Sequence, residues 1–331
     1  MSIRSRFCVA GIAALLLLVG LPAFAQWEPK VEGYGQFRYE YSDSDSDGDF
    51  DIRRMRLSWK DEVNDVGTMV RIQLDVADLL EGEGQEIDPK DMWVWHPFSD
   101  SWSARVGFGD VMFGKDVEYS SSSRLPFERA KATTSFFPSE KCLGLFATFE
   151  GQNGANVVAD LGVIDGMDAW HTGDLDDAES FVGNVELPFG NGSSAGVSYM
   201  TSSIEVDGVD GNLDADVFGA HVQYIGSGPT DGWFGQAEYY DGDWYDYKNY
   251  EVHDADGFYG LLAFTPQGSA ATPFYRYDEF NPQDASEYTR HTFGVAYEPW
   301  TNKRITLQVE DIDMGDSDDT TVGVQWQVKY K

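Results

Sequence analysis

The sequence predicts an all-β chain, a transmembrane antiparallel β-barrel of about 16 strands with one long loop folded inward to form a constriction. Three observations carry this. Apolar and polar residues alternate with period two along most of the chain, and helical periodicity is nearly absent. About sixteen such segments follow one another, most of them about 9–13 residues long, the length of a tilted strand crossing a bilayer. The connections alternate between short turns rich in Pro, Gly and Asn and mostly longer acidic loops, like the two rims of an outer-membrane barrel.

The elements follow in order. Residues 1–25 read as a signal peptide: Arg4 and Arg6 give a charged start, Phe7 to Leu21 an apolar run, and Ala23-Phe24-Ala25 a site for cleavage after Ala25. Residues 26–331 then form the barrel. Its segments fall at 30–41, 50–60, 66–75, 88–96, 102–111, 141–150, 155–165, 180–188, 194–204, 215–225, 231–243, 254–264, 272–279, 289–297, 302–312 and 319–330. In the second, Met55, Leu57 and Trp59 alternate with Arg54, Arg56, Ser58 and Lys60. In the third, Val70, Ile72 and Leu74 alternate with Arg71, Gln73 and Asp75. The last is the cleanest: Val322, Val324, Trp326, Val328 and Tyr330 lie on one face, and Thr321, Gly323, Gln325, Gln327 and Lys329 on the other. Short turns are expected near Pro97–Ser99, 151–154, 188–192, 226–229, 266–268 and 299–302. The longer connections are 42–49, 76–87, 112–140, 166–179, 205–214, 244–253, 280–288 and 313–318. With the amino terminus in the periplasm, these longer loops face outward. Closure is a physical requirement, because an open sheet edge in lipid leaves backbone groups unpaired. Trp59, Trp102, Trp300, Trp326 and Tyr330 read as interface girdles.

Composition narrows the alternatives. Across 331 residues, 23 Lys and Arg face 57 Asp and Glu, a formal charge of −34, which excludes nucleic acid as a partner. No apolar run after residue 25 approaches the ~20 residues of a membrane helix. Cleavage leaves Cys142 as the one cysteine, so no internal disulfide can form. A soluble sandwich or propeller also alternates, but a propeller needs a repeat of fixed period that is not visible here. A secreted β-rich binding protein or adhesin remains an alternative; solubility without detergent would support it.

Charge is unevenly spread. Fourteen Lys and Arg lie between Lys30 and Lys141, and none between Cys142 and Tyr247. With apolar faces toward lipid, Arg38, Arg54, Arg56, Arg71 and Arg105 point into the lumen as a basic wall, braced by acids such as Glu40 and Asp75. Segment 112–140 carries Lys115, Glu118, Arg124, Glu128 and Arg129 together with Phe113, Phe127, Phe136 and Phe137. A loop of this length usually has a function, and folded inward it narrows the passage. The expected arrangement sets Glu118 and Glu128 opposite the arginines, across a transverse field.

Other motifs carry little chemistry. Asp43, Asp45, Asp47 and Gly48 match the start of a calcium loop, but its twelfth position is Arg54 where a bidentate Glu belongs, so the segment reads as a solvated loop. Gly192-Ser193-Ser194-Ala195-Gly196 fits the hydrolase elbow, yet no helix follows it. The five histidines show no ligand spacing, and His221 is placed in the lumen. No catalytic residue, metal or cofactor is expected. An outer-membrane barrel hydrolase is the enzyme alternative, and it would need Ser and His aligned on one strand face.

Several of these segments, in order, resemble the phosphate-selective porins O and P. They are Arg53-Arg54-Met55-Arg56-Leu57, Asp75, Lys90-Asp91-Met92-Trp93-Val94, Arg105-Val106-Gly107-Phe108-Gly109, and Leu125 to Ala130 continuing through Phe137-Pro138 and Gly144. The likeness is clearest over 50–165, and Tyr275–Asp278 and Thr292–Val295 look like closing strands of that family. The resemblance implies a trimeric, 16-stranded outer-membrane porin, a water-filled passive diffusion channel for small ions and solutes, with 112–140 as its constriction loop. Phosphate-selective members use a dense Arg/Lys path. This chain departs from them in its acidity and in a second half read as lacking basic residues. The anion preference is therefore expected to be mild, and to weaken or reverse at low salt. The expected partners are outer-membrane lipid, small ions or solutes, and further copies in a homotrimer.

Overall fold

The computed structural model describes residues 30–63, 67–81, 87–138, 140–151, 157–165, 179–205, 212–246, 251–283, 285–315 and 317–330. The proposed signal peptide lies outside them, as do turn residues 152–156 and outer-loop residues 82–86, 166–178, 206–211 and 247–250.

Sixteen strands follow one another: β1 (Lys30–Ser42), β2 (Asp47–Glu62), β3 (Met69–Asp75), β4 (Asp88–Pro97), β5 (Trp102–Asp110), β6 (Lys141–Glu150), β7 (Val158–Asp165) and β8 (Glu179–Gly190), then β9 (Ser193–Glu205), β10 (Asn212–Ile225), β11 (Trp233–Asp246), β12 (Glu251–Phe264), β13 (Ala271–Pro282), β14 (Tyr288–Trp300), β15 (Lys303–Asp313) and β16 (Asp318–Tyr330). Each pairs antiparallel with its chain neighbours, and β1 pairs with β16 from Gly33↔Tyr330 to Ser42↔Thr321, which closes the barrel. The ring leaves no open edge, as a sheet in lipid requires.

Burial is inverted relative to a soluble protein. On β16, Val322 and Trp326 are 48% and 47% exposed, whereas Gln325 and Gln327 are 3% and 2% exposed. The same holds on β14, where Phe293 and Val295 face out while Arg290 and Thr292 are buried inside. An apolar exterior around a polar interior is stable in lipid and not in water. This argues against the secreted, soluble alternative.

All sixteen segments are present, several running longer than the alternation suggested. Strand β2 starts at Asp47, so the expected loop 42–49 shrinks to the turn Asp43–Ser46. Strands β8 and β9 are joined by Asn191-Gly192, both at positive φ (48° and 77°), a conformation suited to Asn and Gly in tight hairpins. Two α-helical turns among the described residues were not expected: α1 (Ala77–Glu81) after β3, and α2 (Lys131–Phe136) within the long loop.

Two departures from simple alternation position the site. Gln36 pairs with Arg54 but Arg38 pairs with Asp51, so Ile52 and Arg53 together oppose Phe37 in a β-bulge. The lumen also contains an apolar cluster. Phe146, Ile164, Val182, Met200 and Tyr240, on the inner faces of five strands, pack with Phe113, Phe136 and Phe137 of the long loop.

Candidate functional site

The site is segment 112–140, held inside the barrel. Its first anchor is apolar: the Phe113 and Phe137 rings lie 4.6 Å apart, and Phe136 stacks on Tyr240 at 5.8 Å. Next to it Gly114 sits at φ +62° and donates its N–H to Ser198 Oγ at 3.1 Å. The Glu238 carboxylate accepts the amides of Lys115 (2.7 Å) and Asp116 (3.0 Å) and the hydroxyl of Tyr259 (2.9 Å). The loop then crosses to the other wall. There Ser121 meets Tyr34 Oη at 2.5 Å, Gln36 Nε2 donates to Ser121 O at 3.1 Å, and Phe127 N–H donates to Gln308 Oε1 at 3.0 Å. One end of the loop thus rests on β9–β12 and the other on β1 and β15.

Three arginines converge on that far end. The Glu128 carboxylate accepts from Arg38 Nη2 (2.6 Å), Arg53 Nε (2.8 Å) and Arg54 Nη2 (2.9 Å). Glu128 therefore does not oppose the arginines, as expected from sequence, but is clasped by them. Its side chain remains 31% exposed, so the cluster faces the passage. Burial pushes the Glu128 carboxyl up, but Arg54, Arg53 and Arg38 outweigh it and hold the group well below the usual carboxylate range. Arg53 was not among the expected lumenal residues, because strict alternation turns it toward lipid; the bulge brings it inward.

The other predicted residues divide by partner. Arg56 Nε donates to Asp75 Oδ2 at 3.0 Å, and Arg71 pairs with Asp91 at 2.8 Å. Arg105 donates to the Asp110 carbonyl at 2.5 Å and lies 4.5 Å from the centre of the Phe146 ring. These three sit on the inner wall with local compensation. Arg129 turns back into its own loop: it is 5% exposed, donates to the carbonyls of Asp116, Val117 and Tyr119, and pairs with Glu140. It folds the loop onto itself. Lys115 pairs with Glu186 and lies 3.7 Å from Glu118. Burial pushes the Glu118 carboxyl up to about 7, against the pull of Lys115 and aided by Asp160 and Glu186. Arg124 is 4% exposed and none of its guanidinium nitrogens has a hydrogen-bond partner. Burial, with Arg129 and Arg54 acting in the same direction, pushes it down to about 9.

The expectation of a second half without basic residues needs correcting. Arg276, Arg290 and Arg304 are buried on β13, β14 and β15. Arg276 Nη1 donates to the Glu128 carbonyl at 2.7 Å and Arg290 Nη2 to the Arg129 carbonyl at 2.8 Å. Closure of the ring puts these strands next to β16 and β1, so the basic wall runs across the seam. The period-two pattern at Tyr275-Arg276-Tyr277 carries the signal, but it means little until the ring is closed. The strands β7–β12 hold no Lys or Arg, and Asp160 and Glu238 are buried on that wall.

The residues of the hydrolase alternative lie on one stretch of the wall. Ser194 and His221 lie on neighbouring strands β9 and β10, and no hydrogen bond joins the two. The carboxylate paired with His221 is Glu186, 3.7 Å away.

The family model of phosphate-selective porin O and P matches residues 32–224. Among solved structures, the chain is similar to the anion-selective porin from Comamonas acidovorans, with a TM-score of 0.69, 10% identity, and coverage of 92% of this chain and 99% of that one. It is similar to the outer membrane channel DcaP of Acinetobacter baumannii, with a TM-score of 0.68, 11% identity, and coverage of 92% and 97%. It is also similar to OmpT of Vibrio cholerae in its trimer form, with a TM-score of 0.65, 14% identity, and coverage of 92% and 100%. At such identities the likeness shows the fold. No curated protein matches the sequence.

Proposed function

The chain belongs to the phosphate-selective porin O and P family and is an outer-membrane diffusion channel, and from that premise we propose that its constriction prefers anions. The observation that carries this reading is the excess of guanidinium at Glu128: Arg38, Arg53 and Arg54 converge on its carboxylate, with Glu40 standing 3.8 Å from Arg38. The arginines elsewhere on the wall are largely balanced pair by pair. A permeant oxyanion approaching this point meets three donors already turned toward a negative group. Glu128 stands in for that anion at rest, so an entering phosphate or chloride competes with a carboxylate for the same guanidiniums. This keeps binding weak enough for release, as conduction requires. The acids of β7–β12 complete a field across the passage.

Passage of this kind makes and breaks no bond, and the reading is of a channel rather than an enzyme. The selectivity residues are Arg38, Arg53, Arg54 and Glu128, with Arg56, Arg71, Arg105 and Lys115 setting the surrounding field. The mature protein begins after Ala25, resides in outer-membrane lipid and assembles as a homotrimer. The trimer form of OmpT, which shares the fold, supports the last point.

The test is the reversal potential of purified protein in a planar bilayer across a tenfold KCl gradient. The wild type gives stepwise conductance with an anion-selective potential. Arg54→Glu/Arg56→Glu shifts the potential toward cations. An unchanged potential in that variant would overturn the role of the wall.

A further inference from the structure

A cavity of about 240 Å³ lies where the loop tip meets β11–β15. Several of its lining residues, among them Phe234, Thr265, Thr272 and Glu298, stand close to the short-turn ends of their strands. Three arginines line it: Arg124, Arg276 and Arg304. Two of them are engaged. Arg276 donates to the Glu128 carbonyl and pairs with Asp278 at 3.0 Å; Arg304 donates to Gln327 Oε1 at 3.2 Å and lies 3.7 Å from Glu298. Arg124 differs from both. It is buried, it lines the cavity, and it has no hydrogen bond and no ion pair among the described residues.

A buried cation without a partner is costly, and a bound anion relieves that cost. Of the acids that line the cavity, Asp116 accepts the Ala130 amide and Glu298 faces Arg304, so neither reaches Arg124 with a bond. The rest of the lining includes Leu125, Pro126, Phe234, Leu261 and Ala296. A phosphate dianion would press charged oxygens against these apolar atoms, and chloride would leave most of the volume unfilled. An engineered cavity of about 150 Å³ holds benzene, so this one suits roughly ten non-hydrogen atoms.

We propose that this cavity is a binding site for a small organic carboxylate with an apolar body, its carboxylate on Arg124 and its body against Leu261 and Ala296. The site is distinct from the guanidinium cluster at Glu128. The proposal rests on the reading of the lumen as an aqueous path for anions. It gives the channel a preference that phosphate selectivity would not produce.

The experiment measures benzoate binding to the purified full-length channel by calorimetry in detergent, with acetate and inorganic phosphate as comparisons. Benzoate binds, and the other two bind roughly tenfold or more weakly. Arg124→Gln weakens benzoate binding by roughly tenfold to a hundredfold, the range for losing a charged hydrogen-bond partner. Ala296→Leu fills the cavity without touching a charge; it also weakens benzoate binding and leaves the reversal potential in KCl unchanged. Should Arg124→Gln fail to fold, Ala296→Leu decides alone. Benzoate affinity equal to that of acetate or phosphate, or insensitive to Ala296→Leu, overturns the proposal. A cation-selective reversal potential alongside Arg124-dependent benzoate binding would remove the general anion preference and leave this site standing.

Discussion

Glu128 concentrates the selectivity argument in one carboxylate. Glu128→Gln removes its charge and frees three guanidiniums to face the passage. A unit charge about 4 Å away is worth about 1 kcal/mol in water, or about fivefold in the local concentration of each ion, up for anions and down for cations. The expected result is a reversal potential shifted further toward anions, together with block of chloride current by phosphate that the wild type resists. Glu118 gives the channel a pH dependence. Burial raises it from 4.5 to about 7, so the folded chain holds a proton that an unfolded chain has released between those values. Glu118 thus favours loop docking at low pH, and that contribution is lost as pH rises through the window. The charge follows the same titration: anion preference is greater below pH 7 and smaller above it, measured as reversal potential from pH 5.5 to 8.5. Glu118→Gln should flatten the profile. At this scale the sequence was legible where side-chain direction follows period two, as for Arg38, Arg54 and Arg56. It was misleading at Arg53, which a bulge rotates, and at Arg129, whose donors are spent on loop carbonyls that no spacing rule reveals.

The long loop is the element that turns a barrel into a filter, and Gly114 is where it can be unfastened. A Cβ there would lie 1.8 Å from Glu238 Oε1, and φ of +62° is unfavourable for a β-branched residue. Gly114→Val costs about 1–3 kcal/mol from backbone strain alone. It should release the loop end from Glu238 while the barrel stays folded. Single-channel recording would show larger and noisier conductance, and electrophoresis of unheated and heated samples would show the barrel intact. The sixteen strands were readable because lipid outside and polar groups inside enforce alternation. The loop's seats were not, because Phe146, Ile164, Val182, Met200 and Tyr240 place apolar groups on the inner face, where alternation expects polar ones. Helix α2 was unreadable for a related reason. Its six residues have almost no intrinsic helical stability and are held by packing, with Ala132, Thr133 and Phe136 buried.

For the whole molecule, local and total charge pull in opposite directions. The chain carries −34 overall, while its constriction is rich in arginine. The Debye length grows from about 3 Å at 1 M salt to about 30 Å at 0.01 M, so distant loop acids act on the passage only in dilute salt. Anion preference should fall steadily as the same tenfold gradient is moved from high to low mean concentration, and removal of Glu128 should not abolish that slope. The rhythm of turns and loops made the ring order legible. Its electrostatic consequence was not, since Arg276, Arg290 and Arg304 become neighbours of Arg38 only when the last strand meets the first.

The loop is made before most of the surfaces that hold it. Its residues precede β6, yet its bonds go to Ser198, Glu238, Asp278 and Gln308, which come later in the chain. Gln36, which grips the loop at Ser121, is itself held by Gln327, 291 positions away across the seam. Assembly therefore has an enforced schedule. The loop tip cannot be fully seated before the ring closes, because its grip at Gln36 and Gln327 spans the seam. The passage takes its final shape only with the arrival of the last strand, whose Gln327 holds both Gln36 and the loop carbonyl of Ser122.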